Sequence, residues 1–251
     1  MKKTIFIALD TNEQVDKVIL IAKEIKTIFN EQAQAANLQN KFSIGFKLGL
    51  EFFCKQGFYG VNKIEELDCD VFLDLKFFDI SNTVCGAYKS LCLSSIGKIT
   101  HTTVHLLNGT ACLQTLHDFK LNLDLKLKPK ILGVSILTSL DMEYLKNCNF
   151  NFKSVDEAVA HLVSINQKYV AGCICSPLEI KSVRSITNKN FEVVTPGIQI
   201  TSLNNDQKRT ATPNEAFTRG SSSIVIGRAI TEAQDKILAI KDLIANLKLS
   251  E

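Results

Sequence analysis

The feature that most constrains this chain is a rhythm. Short runs of strand length alternate with longer segments whose apolar residues recur at helical spacing. The short runs are Thr4–Leu9, Phe42–Leu48, Val71–Leu73, Ile99–Val104, Lys130–Val134, Val170–Ile174, Phe191–Val194 and Ser223–Ile226. After the first, Val15, Val18, Ile19, Ala22, Ile25 and Ile28 recur at helical spacing and predict a helix over Val15–Phe29. Further helices start near Glu51, at Ser81-Asn82-Thr83 and after Asn108-Gly109. Ser154, three residues before Glu157, has the spacing of a capping box for a helix to about Gln167. Pro177 suits the first turn of the next helix, and a last helix runs from about Thr231 to Leu247. Strict alternation of strand and helix calls for a parallel sheet with its faces covered. The expected fold class is therefore α/β. Eight units in 251 residues predict a (β/α)8 TIM barrel, read as one domain over residues 1–251. An open doubly wound sheet is the alternative, but no G-x-G-x-x-G follows the first strand.

Three polar segments read as insertions or mobile loops: the Gln/Asn-rich Asn30–Lys41, the lysine-bearing Leu121–Pro129, and Gly197–Thr212. None is long enough to link two domains.

Composition narrows the function classes. The formal net charge of +3 and the lack of a dense Lys/Arg block argue against nucleic acid as a partner. No apolar run reaches eighteen residues, so no membrane span is expected. Met1-Lys2-Lys3 before Thr4–Leu9 has the outline of a signal peptide, but the apolar part is short, ends in Asp10 and lacks a small-residue cleavage site. The eight cysteines form no C-x-x-C and have no histidine at zinc-ligand spacing. They read mostly as small buried hydrophobes with free thiols, which suits a reducing cytoplasm.

Barrel enzymes work at the C-terminal ends of their strands. Here those ends carry chemistry. The run Val71-Phe72-Leu73 leads into Asp74, Lys76 and Asp79. Residues two apart on a strand share a face, so Asp74 and Lys76 lie together, at or just beyond the strand end. Charges buried there must be paired. Asp10, Lys47, His105, Thr138, Pro196-Gly197 and Gly227-Arg228 end or follow other strands. Each has a plainer reading: Asp10 could cap the next helix, Lys47 could snorkel from its strand, and His105 could be a satisfied core histidine. Gly227-Arg228 points to phosphate, because eighth-strand loops of barrels offer backbone N–H groups and arginine adds a two-pronged grip. Lys47 and Lys76 would crowd a divalent cation at Asp74 and Asp79, so no metal is expected. The residues lead to a phosphate-anchored small substrate and a lysine–aspartate array.

With these residues in view, the chain resembles the orotidine 5′-phosphate decarboxylase family. Asp74-Leu-Lys76-Phe-Phe-Asp79-Ile80 looks like that family's D-x-K-x-x-D-I signature, continued by Ser81-Asn82-Thr83-Val84. Ala8-Leu9-Asp10, Phe46-Lys47-Leu48-Gly49, Val104-His105, Leu137-Thr138-Ser139, Val194-Thr195-Pro196-Gly197-Ile198, Asp206-Gln207-Lys208-Arg209 and Val225-Ile226-Gly227-Arg228 agree in order and spacing. The resemblance spans Ile5 to Ile230.

It implies decarboxylation of orotidine 5′-phosphate to UMP and CO₂ in pyrimidine biosynthesis, with no cofactor. Lys76 would stabilise and protonate the carbanion at C6. Asp74 would lie near the departing carboxylate, and Lys47 with Asp79 would hold the alternating charges. Asp10 with Lys47 would bind ribose, Thr138 the pyrimidine, and Pro196 the apolar side of the base. Gln207, Gly227 and Arg228 would grip the phosphate while the Gly197–Thr212 loop closes. A homodimer is implied, with Asp79, Ile80 and Thr83 reaching the partner's site. Two departures stand out. Gln199 occupies a position after Pro-Gly-Ile where arginine is common, which weakens its assignment to the site, and Asn30–Lys41 is longer than the pattern. Similar sugar-phosphate lyases such as 3-keto-L-gulonate 6-phosphate decarboxylase use Mg²⁺ and carry a glutamate where this chain has Lys47. The metal histidines of ribulose-phosphate epimerases have no counterparts here. A silent nucleotide-binding barrel would have no need of the complete Lys47, Asp74, Lys76 and Asp79 set.

Overall fold

In the computed structural model, residues 2–11, 13–200 and 210–248 are described. The apolar runs become strands because their alternate residues meet two different apolar environments, the barrel interior and the helical shell. The order is β1 (Lys3–Ala8), α1 (Val15–Ala35), β2 (Phe42–Leu48), α2 (Leu50–Glu65), β3 (Asp70–Phe77), α3 (Ser81–Ser94), β4 (Ile99–His105) and α4 (Thr110–Asn122). It continues with β5 (Lys130–Val134), α5 (Met142–Asn147), α6 (Val155–Asn166), β6 (Gly172–Ile174), α7 (Ile180–Ile186), β7 (Glu192–Thr195), α8 (Pro213–Arg219), β8 (Ser223–Ile226), α9 (Arg228–Thr231) and α10 (Lys236–Lys248). The eight strands form a closed barrel in sequence order, each parallel to its neighbours, with β8 pairing back to β1 from Thr4↔Ser223 to Ile7↔Ile226. This is the (β/α)8 barrel that the alternation predicts.

The interior is filled, as barrel interiors are, by side chains in layers. Phe6, Phe72, Leu132, Val194 and Val225 form the central plug. Phe6 and Phe72 meet edge to face at 5.5 Å. Gly45 makes the room: a Cβ there would lie 2.8 Å from the Phe6 ring and 2.7 Å from the Asp70 carbonyl oxygen. Below the plug, Glu192 hydrogen-bonds to His101 at 2.9 Å and to Lys130, closing the floor. Burial would raise the Glu192 carboxyl; those two partners outweigh it and hold it below its ordinary value. Outward strand residues and the inner faces of the helices form the larger second core.

Several elements differ from the sequence expectation. The Asn30–Lys41 segment is not a loop at its start, because α1 continues to Ala35. Ala33 and Leu38 are buried there, and Asn37 takes φ 58°. Leu38 N–H bonds to Ala33 carbonyl and Asn37 N–H to Gln34 carbonyl, a Schellman ending with asparagine in the left-handed position. β3 extends past Leu73 to Phe77, so Asp74 and Lys76 lie inside the strand rather than beyond it. Pro177 lies three residues before the start of α7 instead of opening it. The last helix, expected from about Thr231, starts instead at Lys236 as α10, where Asp235 accepts the Leu238 N–H, and the short α9 precedes it. Ser154 caps α6 as expected, accepting the Glu157 N–H at 3.0 Å. All eight cysteines are free thiols, five of them buried. Among the described residues no helix is long and apolar enough to cross a membrane.

Candidate active site

The site begins with an irregularity in β3. Its pairing with β4 shifts register once between Val71 and Phe72, runs to Leu73↔Thr102, then lapses and resumes at Phe77↔Val104. Three residues, Asp74 to Lys76, therefore stand opposite Thr103 alone. Lys76 absorbs the excess length by adopting φ 48°, a left-handed conformation that disfavours a side chain with Cβ. Its N–H donates to Thr103 Oγ1 at 2.8 Å. The Thr103 hydroxyl in turn donates to Asp74 Oδ1 at 2.8 Å. Asp74 Oδ2 is left for cations: Lys76 Nζ lies 2.7 Å away and Lys47 Nζ 3.9 Å away. Lys47 also pairs with Asp10 Oδ2, and Asp10 Oδ1 accepts the Gly49 N–H at 2.6 Å. Gly49 precedes the first residue of α2, so Asp10 does hold a helix start, though that of α2 rather than α1. A Cβ at Gly49 would sit 2.6 Å from that Asp10 oxygen, so the glycine is what lets the carboxylate approach.

The result is a chain of alternating charge, Asp10–Lys47–Asp74–Lys76, drawn from the ends of β1, β2 and β3. It is formally neutral, which lets it persist in a half-buried setting. The side chains differ in access: Asp74 is 11% exposed and Lys76 34%. An incoming group meets the Lys76 ammonium first, with Asp74 fixed beneath it.

Beside this array a cavity of about 590 Å³ opens between the ends of β1, β7 and β8. Its walls include Asp10, Lys47, Pro196, Gln199, Gly227 and Arg228. Asp10 and Lys47 thus belong to both the array and the cavity. Gln199, set aside on sequence grounds, is part of the wall. Among the described residues, a Cβ at Gly227 would meet only Ala8, at an ordinary 3.7 Å.

The remaining sequence candidates lie apart. Asp79 is exposed, and its Oδ1 accepts the N–H of Ile80 at 2.7 Å; among the described residues it joins no ion pair. Ile80 is 71% exposed, Phe78 63%, and Thr83 is exposed on the first turn of α3. Thr138 is exposed in the turn after β5. Gln207, with residues 201–209 of the Gly197–Thr212 loop, lies outside the described residues. His105 ends β4, accepts the Leu107 N–H at 3.3 Å and lies 5.2 Å from the Phe78 ring. Burial, reinforced by the Lys76 ammonium, pushes its imidazole below the ordinary value. Thr103 was missed entirely, since threonine in an apolar strand reads as a β-former and nothing more.

The array and cavity can be set beside known proteins. Residues 3–243 match the sequence model of the Orotidine 5'-phosphate decarboxylase / HUMPS family. An orotidine 5′-phosphate decarboxylase of Lactobacillus delbrueckii subsp. bulgaricus is 35% identical over 250 residues, covering 97% of this chain and 96% of that one. The one from Paramagnetospirillum magneticum is 34% identical over 253 residues, covering 99% and 100%. The crystal structure of orotidine 5′-phosphate decarboxylase from Lactobacillus acidophilus superposes with a TM-score of 0.73 at 30% identity, covering all of both chains. A barrel with this charge array at its rim, matched over almost its whole length by such relatives, belongs to the orotidine 5′-phosphate decarboxylase family.

Proposed function

We propose that this chain decarboxylates orotidine 5′-phosphate to UMP and CO₂, and does so without a cofactor. The observation that carries the reading is the Lys76 ammonium, held 2.7 Å from Asp74 Oδ2 at the rim of the barrel, with an arginine-bearing cavity alongside. In the reaction the bond from C6 to the carboxylate carbon breaks and CO₂ leaves. The electron pair stays on C6, where the pyrimidine ring delocalises it poorly. A preorganised ammonium in a water-poor site stabilises that charge far better than water does. Lys76 then gives C6 a proton and is left as a neutral amine. Asp74 lies near the departing carboxylate, and Lys47 keeps Asp74 and Asp10 paired before substrate enters.

Binding energy comes from the far end of the substrate. Arg228 and Gly227, with Gln207 from the loop, hold the phosphate; the place of Gly227 and Arg228 together in the cavity wall supports this. Asp10 with Lys47 binds ribose, Pro196 lines the base, and Thr138 contacts the pyrimidine. Energy gained at the phosphate can be used to close the site around the reacting ring.

The chain works as one barrel domain over residues 1–251, as a homodimer in the cytoplasm. Its Asp79, Ile80 and Thr83 complete the site of a second copy. The exposure of this acid, and of Phe78 and Ile80 beside it, supports that arrangement. The test is the loss of ultraviolet absorbance from orotidine 5′-phosphate, run with and without EDTA. Turnover indifferent to EDTA is expected. Activity lost to EDTA and restored by Mg²⁺ would favour a sugar-phosphate lyase instead.

A further inference from the structure

We infer that Thr103 is a positioning residue that sets both halves of the reacting ion pair through one hydroxyl. The inference rests on the proposed decarboxylation for its kinetic consequences, and on geometry alone for the rest. Thr103 is fully buried on β4. It is the sole β4 residue opposite the three β3 residues from Asp74 to Lys76. Its Oγ1 accepts the Lys76 N–H and donates to Asp74 Oδ1, both at 2.8 Å.

Each contact has a separate effect. Where the ladder between β3 and β4 lapses, Lys76 N–H loses a backbone acceptor, and the hydroxyl takes its place. That anchors a lysine in a left-handed conformation which it would otherwise avoid. The donated bond occupies Asp74 Oδ1 and turns Oδ2 toward Lys76 and Lys47. A hydroxyl can donate and accept at once through a single oxygen. Valine has the same shape without either function, and serine keeps both.

The test is kinetic, with a structural arm that does not depend on turnover. Wild-type enzyme is assayed first on orotidine 5′-phosphate. Thr103→Val should then lower kcat by about ten- to a hundredfold, the scale of a small misplacement of reacting groups. KM should stay within about threefold, because the proposed anchor, Arg228, lies elsewhere on the rim. Thr103→Ser should recover kcat to within about threefold of wild type. A double variant with Asp74→Asn should lose less than the product of the two single losses, since both act through one carboxylate. Wild-type kcat in Thr103→Val, or a loss in Thr103→Ser beyond tenfold, overturns the inference; the serine result decides alone if the valine variant does not fold. Crystal structures of the wild type and of a folded hydroxyl-free variant, valine or alanine, form the other arm. Lys76 leaving its left-handed φ, or Asp74 turning away from Lys76, supports the inference, and an unchanged array overturns it. An inactive wild type would sink the decarboxylase reading while this structural arm still judges Thr103.

Discussion

At Arg228 the proposed phosphate contact can be separated from every other role. A guanidinium makes two parallel charge-assisted bonds to a phosphate. A hydrogen bond to a charged group is worth about 1.5–3 kcal/mol, and about 1.4 kcal/mol is tenfold. Arg228→Ala should therefore lower kcat/KM by about ten- to over a hundredfold on orotidine 5′-phosphate. On orotidine, which lacks the phosphate, the loss should nearly vanish; an equal fractional loss on both would assign Arg228 to fold or chemistry instead. His105 gives a pH test. Its imidazole is held below the ordinary value by burial and then by Lys76. The unfolded chain, with a histidine value of about 6.5, then binds more protons than the folded one just below that pH. Stability should fall as pH drops from about 6.5 toward the folded value, and His105→Asn should flatten that part of the profile of thermal midpoint against pH. Asp10, Lys47, Asp74 and Lys76 were legible in the sequence because charge at the end of an apolar strand is conspicuous. Thr103 was not, because its role exists only once β3 bulges against β4. The left-handed Lys76 was equally hidden: nothing in a lysine's neighbours announces it.

Between the residue and the barrel, the elements depend on buried groups that look ordinary in one dimension. Glu65, near the end of α2, is 1% exposed. It accepts from Ser95 Oγ at 2.6 Å and from the backbone N–H groups of Ile96, Gly97, Lys98 and Ile99 at 2.6–3.1 Å. One carboxylate thereby satisfies the whole turn between α3 and β4, the strand that carries Thr103 and His105. Glu65→Gln would keep the volume, remove the charge and aim an NH₂ at N–H donors. Losing even one or two such bonds should lower unfolding free energy by about 3 kcal/mol. Urea unfolding measures it, and a change under about 0.5 kcal/mol, the usual surface value, would mean the turn is held by its backbone alone. In sequence Glu65 is one more polar residue of a helix, so the clamp was invisible. The strands were legible, since apolar runs bounded by polar residues have few alternatives. The tail of α1 and the turn after it were not: their inward residues Ala33 and Leu38 are diluted by Gln and Asn on the solvent side. β3 outran its apolar run because Asp74 and Lys76 neutralise each other inside the barrel, which removes the penalty that should have ended the strand there.

For the molecule as a whole, the rhythm of eight units foretold a barrel, yet closure itself rests on contacts far apart in sequence. β1 must find β8, and Phe6 must fit against Gly45 and Phe72. The floor ties β4, β5 and β7 through His101, Lys130 and Glu192. The plug and the floor fill the barrel beneath the rim that carries the charge array. There the array of Asp10, Lys47, Asp74 and Lys76 is complete within one chain, whereas Asp79 stands outside it with its carboxylate turned to its own backbone. Phe78 and Ile80 flank it as exposed apolar surface, the kind that a second copy would cover. If the site is shared, Lys76 and Asp79 of one site come from different chains, and two dead variants should complement. Lys76→Ala and Asp79→Ala are each expected to abolish nearly all turnover while remaining folded. In a mixed dimer one site carries both lesions and the other carries neither. Random exchange makes half of the dimers mixed, so about a quarter of the wild-type sites should be restored in a twofold-symmetric assembly. The measurement is turnover after co-refolding or prolonged mixing, with exchange verified by mass on differently tagged subunits. Verified mixed dimers that remain inactive would place Asp79 in its own chain's chemistry, or outside it, and end the shared-site proposal.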